Sequence, residues 1–375
     1  MTDTNRDSPL AYEPIEVSPP GDTLRDLMQE RDLTQAELSR RLGRPSQAIN
    51  EILAGKKEIT EDTAIELERV LKVPAHFWLT REAQYREYLA RLRAVQSNRS
   101  AVPWVQTFPL KDMQQAGVLP AGRLTAKFVE ALVEPMLSFF GVASPEGWSA
   151  QYDQLQVQFR RAKPDAQTDV AAITAWLRMG EIEAQQREVP AFDADALERA
   201  LPAMRALTVA DAPRIGPELT RLCQQVGVVL VFVPALHGTH VSGVARWLHG
   251  KPLVQLSLLG SWNDIFWFSF FHEIGHILKH PAKRAVYLDD ASSGKQSIAP
   301  EEVEANSFAS EVLLPAPWAS ALAQMPLTEN GIQAFADQAQ LHPGIVVGHL
   351  QHHGRLPWAH PLTRLKARFD MPNPS

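Results

Sequence analysis

The sequence predicts a multidomain, mainly α chain, with an all-α N-terminal head, a helical middle and an α+β segment in its last third. Three observations lead there. Residues 21–71 divide into four short segments with apolar residues at helical spacing, residues 228–258 hold β-branched runs separated by His-Gly turns, and a strongly apolar run from Trp262 to Leu278 follows. A length of 375 residues favours two or three domains, and 45% hydrophobic residues is ordinary for a globular protein. The formal net charge of −6 excludes a protein that coats nucleic acid over its whole surface, and a single cysteine excludes an intrachain disulfide. No signal-peptide pattern is present, and Asn263, Asp264, His272, Glu273 and His276 interrupt the one long apolar run, so a cytoplasmic protein is expected.

Residues 1–20 read as a disordered arm and residues 21–80 as the helical head. In the head the predicted helices are Leu24 to Glu30, Gln35 to Leu42, Gln47 to Leu53 and Glu61 to Leu71. Thr34 with Glu37 forms a capping-box signature, Ser46 and Thr60 are good N-caps, and Gly43-Arg44-Pro45 is a tight connection between the second and third helices. Residues 81–100 read as a helical connector, and residues 101–210 as a helical middle domain whose patterns, Phe128 to Phe140 and Val170 to Glu183, carry no chemical signature.

Residues 211–325 read as a separate α+β domain, in which Ile215, Leu219, Leu222, Cys223 and Val226 mark an amphipathic helix. Cys223 on that helix reads as a small buried hydrophobe. Val228 to Val233, Val241 to Trp247 and Leu253 to Leu258 read as three strands, and Leu253 to Ser257 is the expected edge strand that could pair with an extended peptide. His272-Glu273-Ile274-Gly275-His276 then places two imidazoles i, i+4 on one helix face, close enough to share one metal, with Glu273 beside them as a general base toward water. Zinc needs a third protein ligand, and Glu304 is the candidate: it adjoins an apolar face read from Val303, Phe308 and Val312, where an unpaired carboxylate would be costly. Glu301, Glu302 and Glu311 read as an exposed acidic face, and His280 and Tyr287 as polar candidates near the reacting centre. Residues 326–375 contain a helical pattern, Ile332 to Leu341, the run His342 to Leu350, and a short basic tail, Leu362 to Phe369. His349, His352 and His353 lack a carboxylate and are assigned no metal.

Two resemblances follow from these motifs. His272 to His280, then Glu304-Ala305-Asn306-Ser307-Phe308-Ala309 and Leu313-Leu314-Pro315, resemble the ImmA/IrrE family of zinc metallopeptidases across roughly 213–357. That resemblance implies a zincin-like peptidase domain with Zn2+ held by His272, His276 and Glu304, and Glu273 as general base. Leu33-Thr34-Gln35-Ala36-Glu37-Leu38 and Ile49-Asn50-Glu51-Ile52-Leu53-Ala54-Gly55-Lys56-Lys57 resemble the XRE-type helix-turn-helix family, nearest to HigA-like antitoxins. It implies a DNA partner, with Arg44, Ser46, Gln47 and Asn50 at base edges or flanking phosphates and Arg40, Arg41, Lys56 and Lys57 on the backbone. The run from His342 resembles a second small helix-turn-helix or winged segment. Together these imply a homodimeric, DNA-binding regulator carrying a zinc endopeptidase that cleaves a specific protein such as a repressor. The alternative is a HigA-like antitoxin or transcription repressor with a toxin partner and an inert or structural metal site.

Overall fold

The computed structural model describes residues 16–152, 169–257, 262–280, 287–289 and 299–369. The described residues up to Ser100 form one compact unit and those from Ala101 onward a second. The first unit holds α1 (Pro20–Glu30), α2 (Gln35–Leu42), α3 (Ser46–Leu53), α4 (Glu61–Leu71) and the start of α5 (Ala75–Val105). Thr34 Oγ1 accepts from the Glu37 amide at 3.2 Å and Thr60 Oγ1 from the Thr63 amide at 3.4 Å, so both expected caps form. Ser46 is not a cap: Pro45 holds that position, and Ser46 opens α3 with its hydroxyl 3.3 Å from Ser39 Oγ. Gly43 closes α2 at φ 66°, a left-handed turn that suits glycine. Leu24, Leu38, Ile49, Leu67, Leu71 and Trp78 fill the core of this unit.

The second unit is built on a four-stranded sheet of order β1-β3-β2-β4, from β1 (Val229–Phe232), β2 (Gly243–Leu248), β3 (Lys251–Leu256) and β4 (Tyr287–Asp289). β1 runs parallel to β3, and β2 runs antiparallel to both β3 and β4. The expected edge strand, Leu253 to Ser257, is therefore wrong: β3 lies inside the sheet with both ladders occupied, and Leu258 lies outside the described residues. Sequence periodicity could not reveal that β1 pairs in parallel along the open side of the β2–β3 hairpin, which encloses β3, nor that β4 adds on the other side, beside β2.

Strand alternation splits the sheet into two faces. Val229, Val231, Val244 and Leu253 face one way, against α6 (Leu110–Gln115), α7 (Ala126–Ala131), α8 (Val133–Phe140) and α9 (Val170–Gln185), with the aromatic group Phe108, Phe140 and Trp148. Leu230, Ala245, Val254 and Leu256 face the opposite way, in a core shared with α10 (Ala194–Ala206), α11 (Ala212–Gln225) and α12 (Asn263–Lys279). The described residues of 101–152 and 169–185 therefore pack on the back of the sheet, in one core with it, rather than forming the expected middle domain of their own. On α9, the Trp176 indole N–H donates to Val233 O at 3.0 Å, and the Gln255 amide donates back to Trp176 O at 2.7 Å. Cys223 is fully buried on α11, as expected, and burial pushes its thiol pKa up.

The chain continues through α13 (Pro300–Leu313), α14 (Ala316–Gln324), α15 (Glu329–Ala339) and α16 (Pro343–His352). The run that resembles a second small helix-turn-helix forms the helix pair α15 and α16, and α16 buries Ile345, Val346, Val347 and Leu350 in the core around α12. No helix among the described residues is long and apolar enough to cross a membrane.

Candidate metal centre and helix-turn-helix face

Helix α12 is apolar nearly all round, with Phe266, Trp267, Phe270, Phe271, Ile274 and Ile277 buried, so it sits inside the second unit and carries its polar groups with it. His272, Glu273 and His276 are 1%, 0% and 2% exposed. Groups of this kind stay buried only where partners or a metal compensate them. Burial, with His272 and His280 nearby, pushes the His276 pKa down to about 2, so this ring is neutral at ordinary pH and its nitrogen lone pair is available to a metal. The His272 and His276 Nε2 atoms face each other at 3.0 Å. His272 Nδ1 lies 3.0 Å from Asn306 Oδ1, an acceptor, which puts the ring proton on Nδ1 and leaves Nε2 as the ligating atom.

The carboxylate that joins them is Glu302, with Oε2 at 3.3 Å from His272 Nε2 and Oε1 at 3.5 Å from His276 Nε2. Among the described residues, His272, His276 and Glu302 are the group able to hold a metal ion. The two imidazole nitrogens are 3.0 Å apart and each has a different Glu302 oxygen at 3.3 or 3.5 Å, spacings close to the edge of about 3.3 Å that bonds of about 2.0–2.1 Å give in a tetrahedral zinc site. Three donors leave the fourth position for water or substrate.

Glu304, the expected third ligand, is not part of this group. Its side chain is 55% exposed, with Oε2 at 3.4 Å from His280 Nε2. The physical reason lies in the face that α13 buries. Ala305, Ala309 and Leu313 point to the core, whereas Val303, read from the sequence as a core residue, is 52% exposed. Positions two apart on a helix point about 200° away from each other, so the faces of Glu302 and Glu304 are opposed. The missed signal was the i, i+4 pair Glu302 and Asn306, which shares one face, one supplying the carboxylate and the other the hydrogen bond to His272.

Small residues make the convergence possible. A Cβ on Gly275 would lie 3.0 Å from Phe308 Cδ1 and 3.3 Å from Ala305 Cα, so α12 and α13 cross closely at this point. A Cβ on Gly243 of β2 would lie 2.9 Å from Glu273 Oε1, so the strand leaves room for that carboxylate. The start of α12 is anchored by the end of the chain: Lys366 Nζ pairs with Asp264 at 2.6 Å, both nearly buried, and Asn263 N donates to Ala367 O at 2.9 Å. Phe266 stacks on Phe369 at 4.1 Å between ring centres. Tyr287 lies on the edge strand β4, and His280 caps the end of α12.

In the first unit, Arg40, Arg41, Ser46, Gln47, Asn50, Lys56 and Lys57 are exposed. Arg44 is only part-exposed, because its Nε donates to Glu66 Oε2 at 2.5 Å, and this bond raises the Arg44 pKa above its ordinary value. Arg41 pairs with Glu37 one turn away, and Gln47 Nε2 donates to Glu51 Oε1 at 3.2 Å. Three of the eight side chains thus have acidic neighbours that a phosphate or base would have to replace.

Residues 24–78 match the helix-turn-helix family, and residues 264–329 match the IrrE N-terminal-like domain, a peptidase family. Among solved structures, the chain is similar to a candidate antidote protein of a plasmid maintenance system from Nostoc punctiforme, at 25% identity over 22% of this chain and 91% of that one, with a TM-score of 0.22. Antitoxin HigA of Pseudomonas aeruginosa, solved with the higBA promoter, is 28% identical over 22% and 90% of the two chains, with a TM-score of 0.21. An addiction-module antidote protein of the HigA family from Coxiella burnetii is 25% identical over 22% and 91%, also with a TM-score of 0.21. No match is found among curated proteins.

Proposed function

We propose, for a chain that joins a helix-turn-helix segment to an IrrE N-terminal-like peptidase segment, that it is a DNA-binding regulator whose second unit is a zinc-dependent endopeptidase directed at a specific protein. The observation that carries the peptidase reading is the buried convergence of His272, His276 and Glu302 beside Glu273. Zinc, when bound, supplies Lewis-acid polarisation of the scissile carbonyl and eases deprotonation of water. Glu273 takes the proton from the attacking water and passes it to the leaving amine. Asn306 holds His272 in the tautomer that presents Nε2, and the close crossing at Gly275 keeps Glu302 within reach of both rings. The exposed row Ser46, Gln47 and Asn50 on α3, with Arg40, Lys56 and Lys57, supports DNA as the partner of the first unit, with α3 in the major groove.

The test is Glu273→Gln in the full chain. Zinc stoichiometry should remain near that of the unaltered protein, while cleavage of the protein substrate, trapped by co-purification with the same variant, should fall by about 100- to 10,000-fold, the contribution of a general base. Cells that regulate normally with this variant would instead support an antitoxin or repressor whose metal site is inert.

A further inference from the structure

Between α13 and the end of α16 lies a cleft of about 730 Å3, a volume that suits a small organic ligand. Among the described residues its lining includes none of His272, Glu273, His276 and Glu302, so it is separate from the reacting position. It reaches the back of the metal centre through two side chains. Asn306 lines the cleft and its Oδ1 lies 3.0 Å from His272 Nδ1, and Phe268 lines it while its ring stacks on His272, 6.3 Å between centres. A molecule bound in the cleft therefore touches the groups that orient one zinc ligand from behind.

Just over half of the lining is polar or charged, and Arg355 and Glu311 bring one charge of each sign. Arg355 is fixed in place, because its two terminal nitrogens donate to the carbonyls of Leu322 and Ala323 at 2.5 and 3.1 Å. Glu311 stands exposed on α13. The flat groups lie between: His349 and His353 stack with ring centres 4.0 Å apart, and Phe268 lies 6.1 Å from His352. Burial, with His353 and His352 close by, pushes the His349 pKa down to about 4, so that ring adds no charge at neutral pH. A ligand with a single charge would meet one partner and one like charge, whereas a zwitterion pairs with both.

We propose that this cleft is an effector site for a short zwitterionic peptide with an aromatic side chain, its ammonium on Glu311, its carboxylate on Arg355 and its ring on the imidazole and phenyl faces, and that it acts on the zinc centre through Asn306. A peptide carbonyl that accepts from the Asn306 amide N–H polarises that amide, which strengthens the hold of Oδ1 on the His272 Nδ1 proton and makes Nε2 a better donor to zinc. Filling the cleft therefore tightens the metal. The peptide site itself goes beyond the peptidase reading, and only its effect on zinc rests on the metal centre.

The experiment titrates the full chain calorimetrically with the dipeptide phenylalanyl-alanine, its N-acetyl form, its C-terminal amide and alanyl-alanine. The parent dipeptide should bind at least about tenfold tighter than each of the other three, since each lacks one charge or the ring. Glu311→Gln should bring the parent and the N-acetyl form within about threefold of each other, and Arg355→Met should do the same for the parent and the amide, with circular dichroism verifying both folds. Equal affinities across the set, or preferences that survive both substitutions, would overturn the site. For the coupling, competition with a chelator should show zinc bound at least about threefold tighter when the dipeptide saturates the chain, and the zinc-free chain should bind the dipeptide more weakly by the same factor. Asn306→Ala should still bind the dipeptide but lose this linkage. Dipeptide binding that leaves zinc affinity unchanged would overturn the effector role. A chain that takes up no zinc at all would remove the peptidase reading, and the dipeptide titrations would still decide the site.

Discussion

The choice of carboxylate is the sharpest test of the metal centre. Glu302→Ala removes a group that lies 3.3 and 3.5 Å from the two imidazole nitrogens, whereas Glu304→Ala removes one that is 55% exposed and 3.4 Å from His280. Losing even an outer hydrogen-bond partner of a metal ligand costs about 10- to 100-fold in affinity, so losing one of three ligands should cost at least about 100-fold, or about 2.7 kcal/mol. The exposed carboxylate of Glu304 should matter by less than about threefold, because solvent screens charges at the surface. Competition for zinc against a chromophoric chelator, with all three proteins at one pH and salt concentration, reads both numbers directly. Weak zinc binding in the Glu304 variant together with tight binding in the Glu302 variant would refute Glu302 as the third ligand.

Other predictions address the supports of the site and the first unit. Asn306→Ala should weaken zinc binding by about 10- to 100-fold without loss of helicity, measured by the same competition, because it releases the His272 tautomer. Lys366→Met should destabilise the second unit by about 3–5 kcal/mol in urea unfolding, since it strands the buried Asp264, and Asp264→Asn added to it should recover part of that loss. For the metal-free protein, His276 is held below its unfolded value of 6.5, so the unfolded chain takes up a proton first as the pH falls. Stability should then drop by about 1 kcal/mol between pH 7 and 5.5, seen as a lower urea midpoint, and an unchanged midpoint would contradict a neutral, buried His276. Asn50→Ala should relax base preference in binding selected from a random duplex pool, and Lys57→Ala should reduce the salt dependence of log K by about one unit of slope with no change in preference.

The caps of the first unit were legible because Thr34 with Glu37 and Thr60 with Thr63 act within one turn, where sequence spacing is spatial distance. His272, Glu273 and His276 were legible for the same reason. What depended on packing between distant segments was not. Val303 reads as a core residue but faces solvent, and that one inversion exchanged Glu302 for Glu304. β3 lies inside the sheet because β1, distant in sequence, pairs with it in parallel, and β4, three residues long, takes the edge beside β2. The back of the sheet, Val229, Val231 and Leu253, is as apolar as its front, and that doubled face was the signal that the described part of 101–185 would cover it rather than fold apart.

The segment that matches the peptidase family ends at residue 329, yet the front of its ligand-bearing helix is stitched to residues 366–369 by an ion pair, a backbone bond and a ring stack. A fragment trimmed to the matched boundaries would leave Asp264 stranded and the aromatic side of α12 bare. A fragment meant to keep these contacts must therefore run at least to Phe369, since the two partners of the ion pair lie 102 positions apart in the chain.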